Sequence, residues 1–134
     1  MFEVMIDPRQ QLLRIVMQGF WTAETMGAYS RDVRRKLAEL QQTVGCRRIL
    51  INMVDYPIQS KEVAEGHAAN LRIVKERGEA RVALVMQSAL SKLQAARVAS
   101  DTGHATFSTE EEALAWLLSG PSSAGSRGER TALR

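Results

Sequence analysis

The sequence predicts an α/β domain built on a mixed, mostly parallel five-stranded sheet with four helices, in the order β-β-α-β-α-β-α-β-α. Three observations carry this expectation. Short runs that are apolar at nearly every position, RILINMV (48–54) and ARVALVM (80–86), read as central strands covered on both faces. Stretches with apolar residues three and four apart alternate with them, which calls for helical crossovers and parallel pairing. A turn dipeptide, Asp7-Pro8, separates two short β-prone runs at the start and sets one antiparallel edge.

The elements follow in chain order. FEVMI (2–6) and LLRIVM (12–17) form a hairpin around a five-residue loop, and Gly19 ends the second strand. From Thr22 the period changes: Met26, Tyr29, Val33, Leu37, Leu40 and Val44 make the buried face of an amphipathic helix. Thr22 is its N-cap, Glu24 complements the positive helix start, and Gly45 supplies the positive φ of the stop. After the strand at 48–54, a second helix runs from about Lys61 to Arg77, with Val63, His67, Leu71 and Val74 on one face, Ala64 and Ala68 alongside, and Gly78 as its stop. A third helix follows the strand at 80–86, from Ala89 to about Ser100. HATF (104–107) is a short last strand, and Ser108 with Glu111 reads as an S-x-x-E capping box opening a final helix through Ala113, Leu114 and Leu117.

Composition narrows the function classes. Over 134 residues, 45% apolar and 25% charged content is ordinary for one soluble domain, and no apolar run approaches the ~20 residues of a membrane span. The first ten residues lack a continuous apolar core, so no secretory signal is read there, and a cytoplasmic location is the expectation. Cys46 is the single cysteine and reads as a small buried residue; no intramolecular disulfide can form. The sequence pI is 9.4. However, Arg127, Arg130 and Arg134 against Glu129 put +2 of the +3 net charge in the Gly/Ser-rich segment from Ser119. The chain therefore divides into a domain at 1–118 and a flexible basic tail at 119–134. With Arg34, Arg35 and Lys36 on a solvated helix face and no interleaved aromatics, nucleic acid is not an expected partner.

No nucleophile elbow, P-loop, zinc-protease or dinucleotide motif occurs, so an enzyme is not expected, nor a cofactor. His67 with Glu62 and Glu65, and Asp101 with His104, are the groupings that invite a metal or catalytic reading. Glu62 and His67 are five apart, about 500° around a helix, and no third ligand is evident, so no metal is expected. Trp21, Phe20, Trp116 and the methionines at 17, 26, 53 and 86 read as core.

The succession MQGFWTAETM, RRILINMVDYPIQSKEV, RVALVM and TFSTEEEALAWL, in this order and spacing over about residues 2–118, resembles the STAS domain, in its SpoIIAA-like branch with a Sec14-type flavour. In the anti-sigma factor antagonists of that superfamily one strand ends in an aspartate, and a second aspartate followed by serine opens the next helix, the serine being phosphorylated. The resemblance places Asn52 and Gln59 at the aspartates and Ser60 at the phospho-acceptor, with Lys61 and Glu62 where small residues and glycine usually follow. It implies a regulatory or protein-interaction domain whose surface comprises Asp55, Tyr56, Gln59, Ser60 and Lys61. The local chemistry of Ser60 is that of a helix cap. The Sec14-type flavour adds a second expectation: a small apolar or lipid ligand, or a membrane surface, meeting the second helix through Val63, Ala64, His67, Leu71 and Val74. A two-fold homodimer is expected from the prevalence of that symmetry.

Overall fold

The computed structural model describes residues 1–77, 80–87 and 104–119. β1 (Phe2–Asp7) and β2 (Leu12–Met17) are antiparallel, with Phe2 opposite Met17 and Asp7 opposite Leu12. The turn between them is a single 3-10 turn, Pro8–Gln10, tighter than a free loop. Asp7 Oδ1 accepts the N–H groups of Arg9 and Gln10 at 3.1 and 3.3 Å, Pro8 begins the turn, and Gln11 leaves it at φ 52°.

β3 (Arg48–Asn52), β4 (Arg81–Val85) and β5 (Ala105–Phe107) add in parallel, giving the sheet order β1-β2-β3-β4-β5. The crossovers are α1 (Ala23–Thr43) between β2 and β3 and α2 (Lys61–Arg77) between β3 and β4; α3 (Glu110–Ser119) follows β5. Three α-helices therefore lie among the described residues. The expected helix at 89–100, the stop at Gly78, Asp101 and the tail beyond 119 fall outside them.

Alternation along each strand sorts the core. Leu13, Ile15, Ile49, Ile51, Val82 and Leu84 face α1 and α2, while Leu12, Leu50, Ala83 and Val85 face Ala113 and Leu117 of α3. The central strands are apolar on both sides for this reason.

Thr22 caps α1 as its sequence predicts, accepting the Thr25 N–H at 3.2 Å, and Gly45 at φ 91° ends it with its N–H on the Leu40 carbonyl at 2.8 Å. Val44 belongs to that stop and is exposed, contrary to its expected place on the buried face. Phe20 also departs from expectation: it is 79% exposed while Trp21 is buried. Two consecutive aromatics after a glycine at φ 76° cannot both point inward, and the backbone there selects Trp21. At α3 the cap is one residue later than expected. Thr109 Oγ1 accepts the Glu112 N–H at 3.1 Å, and Glu112 in turn accepts the Ser108 N–H at 3.3 Å.

α1 and α2 meet through a glycine. A Cβ at Gly66 would lie 2.9 Å from Met26 Cε and 3.0 Å from Met26 Cγ, so a larger residue there requires the flexible Met26 side chain to shift. One turn further on, Asn70 donates to Ser30 Oγ at 3.2 Å.

Candidate functional site

The junction between β3 and α2 is held by polar side chains that the sequence itself supplies. Asn52 Oδ1 accepts the Val54 N–H at 3.0 Å, turning the chain out of the sheet, while its Nδ2 donates to Glu110 Oε2 at 2.6 Å. Gln59 then ties this loop to the one entering α1. Its Oε1 accepts the Trp21 N–H at 2.8 Å, and its Nε2 donates to the carbonyls of Gly19 and Pro57 at 3.0 and 2.7 Å. The Gly19 N–H donates to the Asp55 carbonyl at 3.2 Å, closing the seam from the other side. Phe20 and Ile58, 79% and 56% exposed, flank the seam on the two loops it joins.

Ser60 is the cap of α2: its Oγ accepts the Val63 N–H at 3.3 Å. Asp55, Ser60 and Lys61 are exposed, and Lys61 Nζ lies 4.0 Å from Glu65 in a solvated pair of little energetic weight. Tyr56 differs from its expected place on this surface. It is 8% exposed, its ring packs 5.1 Å from Trp21, and its hydroxyl meets His67 Nε2 at 2.7 Å.

That contact belongs to a buried aromatic cluster. His67 lies 5.4 Å from both Trp21 and Tyr29 by ring centroid, and Phe2 packs against the latter two. Burial pushes the His67 pKa down to about 4 and pushes the Tyr56 hydroxyl up. Burial also raises Tyr29, reinforced by its neighbour Tyr56. All three groups are uncharged at neutral pH. Among the described residues no three His, Cys, Asp or Glu side chains stand close enough to hold a metal ion. Glu62 points to solvent, and His67 is a packed ring with a phenol partner.

Below this cluster, between α1, α2 and the sheet, is a cavity of about 90 Å³. His67, Leu71 and Val74 line it as the sequence predicts, over a floor that includes Ile15, Ile51 and Leu84. Val63 is not part of the wall; it is 1% exposed and belongs to the packed core. Ala64 is exposed and turns away from the cavity, because it sits one position round the helix from the buried Val63. Tyr29 and Arg34 of α1 and Asn70 of α2 also line it, and the sequence patterns did not bring them to a common site. Tyr29 shares the apolar stripe of α1 with Met26 and Val33, so its position was readable, but its relation to α2 was not. The buried side-chain nitrogen or oxygen that lacks a hydrogen bond among the described residues is Arg81 Nη1, not the Tyr29 hydroxyl.

The other face of the sheet carries a charged staple. Arg14 donates Nε and Nη2 to Glu110 at 3.0 and 2.7 Å, a fork-to-fork pair that fixes the start of α3 on β2 and β3. Burial pushes the Glu110 carboxyl up, but the hydrogen bonds from Arg14 and Asn52 and the Arg14 charge outweigh it and hold the pKa below the usual carboxylate value. At the opposite end of the sheet Arg81 stacks 3.8 Å above Trp116, which is half-buried, and Cys46 is buried as expected.

The chain thus forms a hairpin and then alternating helices and parallel strands in the spatial order 1-2-3-4-5. The chain is similar in structure to an uncharacterized protein from the DUF3478 family with a SpoIIAA-like fold from Shewanella loihica PV-4. The TM-score is 0.68 at 20% sequence identity, covering 87% of this chain and 93% of that one. A likeness at that identity establishes the fold and leaves activity to be argued from the site. No family profile matches the sequence, and no curated protein does. No helix among the described residues is long and apolar enough to cross a membrane.

Proposed function

We propose that the chain is a non-enzymatic regulatory domain that acts in the cytoplasm by binding a protein partner at the β3–α2 junction. The observation that supports this is the seam at Gln59, which makes two loops into one surface and leaves Phe20 and Ile58 exposed on either side of it. Exposed aromatic and aliphatic side chains beside fixed polar groups make a recognition surface. Asp55, Ser60 and Lys61 form its polar rim.

The test is crosslinking in lysate of the native host with three proteins: wild type, a Phe20→Asp/Ile58→Asp variant, and Ser60→Ala. Both aspartates replace exposed side chains, so thermal unfolding should change little. A partner captured by wild type and lost from the double aspartate variant supports the surface. Equal capture by both variants would remove it.

A second reading is favoured by the apolar cavity beneath α2: binding of a small apolar or lipid ligand, with α2 as the movable wall. Among the described side chains of this helix Val63 is the fully buried one, and Leu71 and Val74 pack on the core half-buried, so its C-terminal half is the less deeply packed. Native mass spectrometry of purified protein and liposome flotation test it. Absence of bound ligand together with absence of flotation would leave the interaction surface as the sole reading.

A further inference from the structure

We propose that the groove between the β1–β2 hairpin and α3, on the sheet face opposite α1 and α2, binds a short aliphatic diamine, with Asp7 and Glu111 each taking one ammonium group. This site is separate from the β3–α2 junction and from the cavity beneath α2.

The groove follows from where α3 lies. That helix packs chiefly over β3, β4 and β5 and leaves the hairpin's side of this face open beside it. The space there is about 360 Å³, inside the size range of small-molecule sites and larger than the 90 Å³ cavity beneath α2. Its floor is hydrocarbon from Met5, Leu12, Leu50 and Leu114. A methylene chain laid on this floor buries apolar surface of both partners.

The charges of the lining choose the ends of the ligand. Asp7, Arg14, Glu110 and Glu111 are its ionisable side chains. Arg14 and Glu110 cancel in their fork-to-fork pair, and Arg48, beyond Gln10, is turned to the carbonyls of Gln10 and Leu117. Two carboxylates are left over, because neither Asp7 nor Glu111 forms an ion pair among the described residues. Their own elements do not use them up. Asp7 holds the 3-10 turn through Oδ1 alone, and of the three acids that open α3, Glu110 is stapled to Arg14 and Glu112 takes the Ser108 N–H. An anion would enter against these two negative charges, and a neutral ligand would leave both unanswered.

Strand register sets the length. Asp7 stands opposite Leu12, whereas Arg14, which holds Glu110 at the start of α3, stands opposite Met5. The two ends of the groove are therefore two residues apart along β1, roughly 6.6 Å at the usual rise. Glu111 follows Glu110 at one end and Asp7 lies at the other, with Leu12 and Leu114 between them. A short methylene chain carrying an ammonium group at each end spans an interval of that order.

Terminal diaminopentane, pentylamine and terminal pentanediol serve as matched probes, titrated into the full chain at low ionic strength, where charge pairs are least screened. Methyl NMR of Met5, Leu12 and Leu114 reports the groove, and that of Leu71 and Val74 reports the cavity beneath α2. Diaminopentane should shift the first set alone and bind about fivefold more tightly than pentylamine, the weight of one more partly solvated ion pair. Pentanediol should bind more weakly than either. Asp7→Asn keeps an oxygen for the turn and Glu111 is exposed, so Asp7→Asn and Glu111→Gln should unfold close to the wild-type temperature while each brings diaminopentane down to the affinity of pentylamine. Glu39→Gln, on an exposed position of α1, should leave binding unchanged. Unchanged affinity in either groove variant, an equal loss in Glu39→Gln, or pentylamine binding as tightly as the diamine would overturn the pairing with two carboxylates. Pentanediol binding as tightly as the diamine would overturn the cationic class. Shifts confined to Leu71 and Val74, or none with any probe, would overturn the groove as the site.

Discussion

Gln59 Oε1 accepts the Trp21 backbone N–H at 2.8 Å across 38 residues of chain, while the same amide donates to the Gly19 carbonyl at 3.0 Å. One side chain thereby satisfies donors and acceptors on a loop that has no regular structure to do so. Replacing it with alanine leaves these backbone groups to water or unpaired. Gln59→Ala should cost about 1–3 kcal/mol in urea unfolding. It should also raise amide exchange at Gly19 and Trp21 before it affects the sheet.

Tyr56→Phe removes a hydroxyl and no bulk. The partner nitrogen, His67 Nε2, is then left inside an aromatic cluster without its 2.7 Å contact. A loss of about 1–2 kcal/mol is expected from the unpaired group, with the fold retained. The near-ultraviolet circular dichroism of the Trp21 cluster is the check on the fold; a change in its shape as large as that on unfolding would mean the hydroxyl organises the cluster instead of merely closing it.

Acid should weaken the protein in two steps. Burial holds the His67 pKa at about 4 in the folded chain, below its ordinary value of 6.5, so the unfolded chain takes up the proton first as pH falls. The stability tied to neutral His67 is complete above pH 6.5 and is lost between 6.5 and about 4, by an amount on the order of 3 kcal/mol. Glu110 acts lower down. Its folded pKa is depressed, so its contribution is present above the unfolded value of 4.5 and disappears as pH falls through the folded one. Urea midpoints measured across this range should fall in both windows. His67→Phe should flatten the upper window alone; an unchanged slope there would remove His67 as its origin.

Ser60→Ala should destabilise by about 1 kcal/mol through loss of the α2 cap. If capping is its whole role, the crosslinked partners remain those of wild type. Intact-mass analysis of protein from the native host addresses the other role: a chain heavier by one phosphate, with the addition lost in Ser60→Ala, would make Ser60 an acceptor.

Much of the fold was legible because it is written in local periods. All five strands and the bounds of α1 follow from apolar alternation, from Thr22 and from Gly45, and the Ser60 cap follows from its position before a helical stripe. The capping of α3 was misplaced by one residue because S-x-x-E and T-x-x-E overlap at Ser108 and Thr109, and only the backbone selects between them. The site was less legible. Gln59 acts on residues 38 to 40 positions away, Tyr56 finds His67 across a turn and a helix, and Phe20 and Trp21 divide between solvent and core by the backbone at Gly19. Pattern identifies a face; it does not give the distance between two helices, and the cavity exists only in that distance.

α1 and α2 touch where Gly66 rests on Met26, one turn before Asn70 donates to Ser30. Position 66 therefore acts as a shim. Alanine there would recover about 1 kcal/mol of helix propensity yet require the Met26 side chain to shift, and larger side chains would displace it further. The packing of α1 on α2 beside the cavity is thus adjustable at a residue outside the cavity's lining.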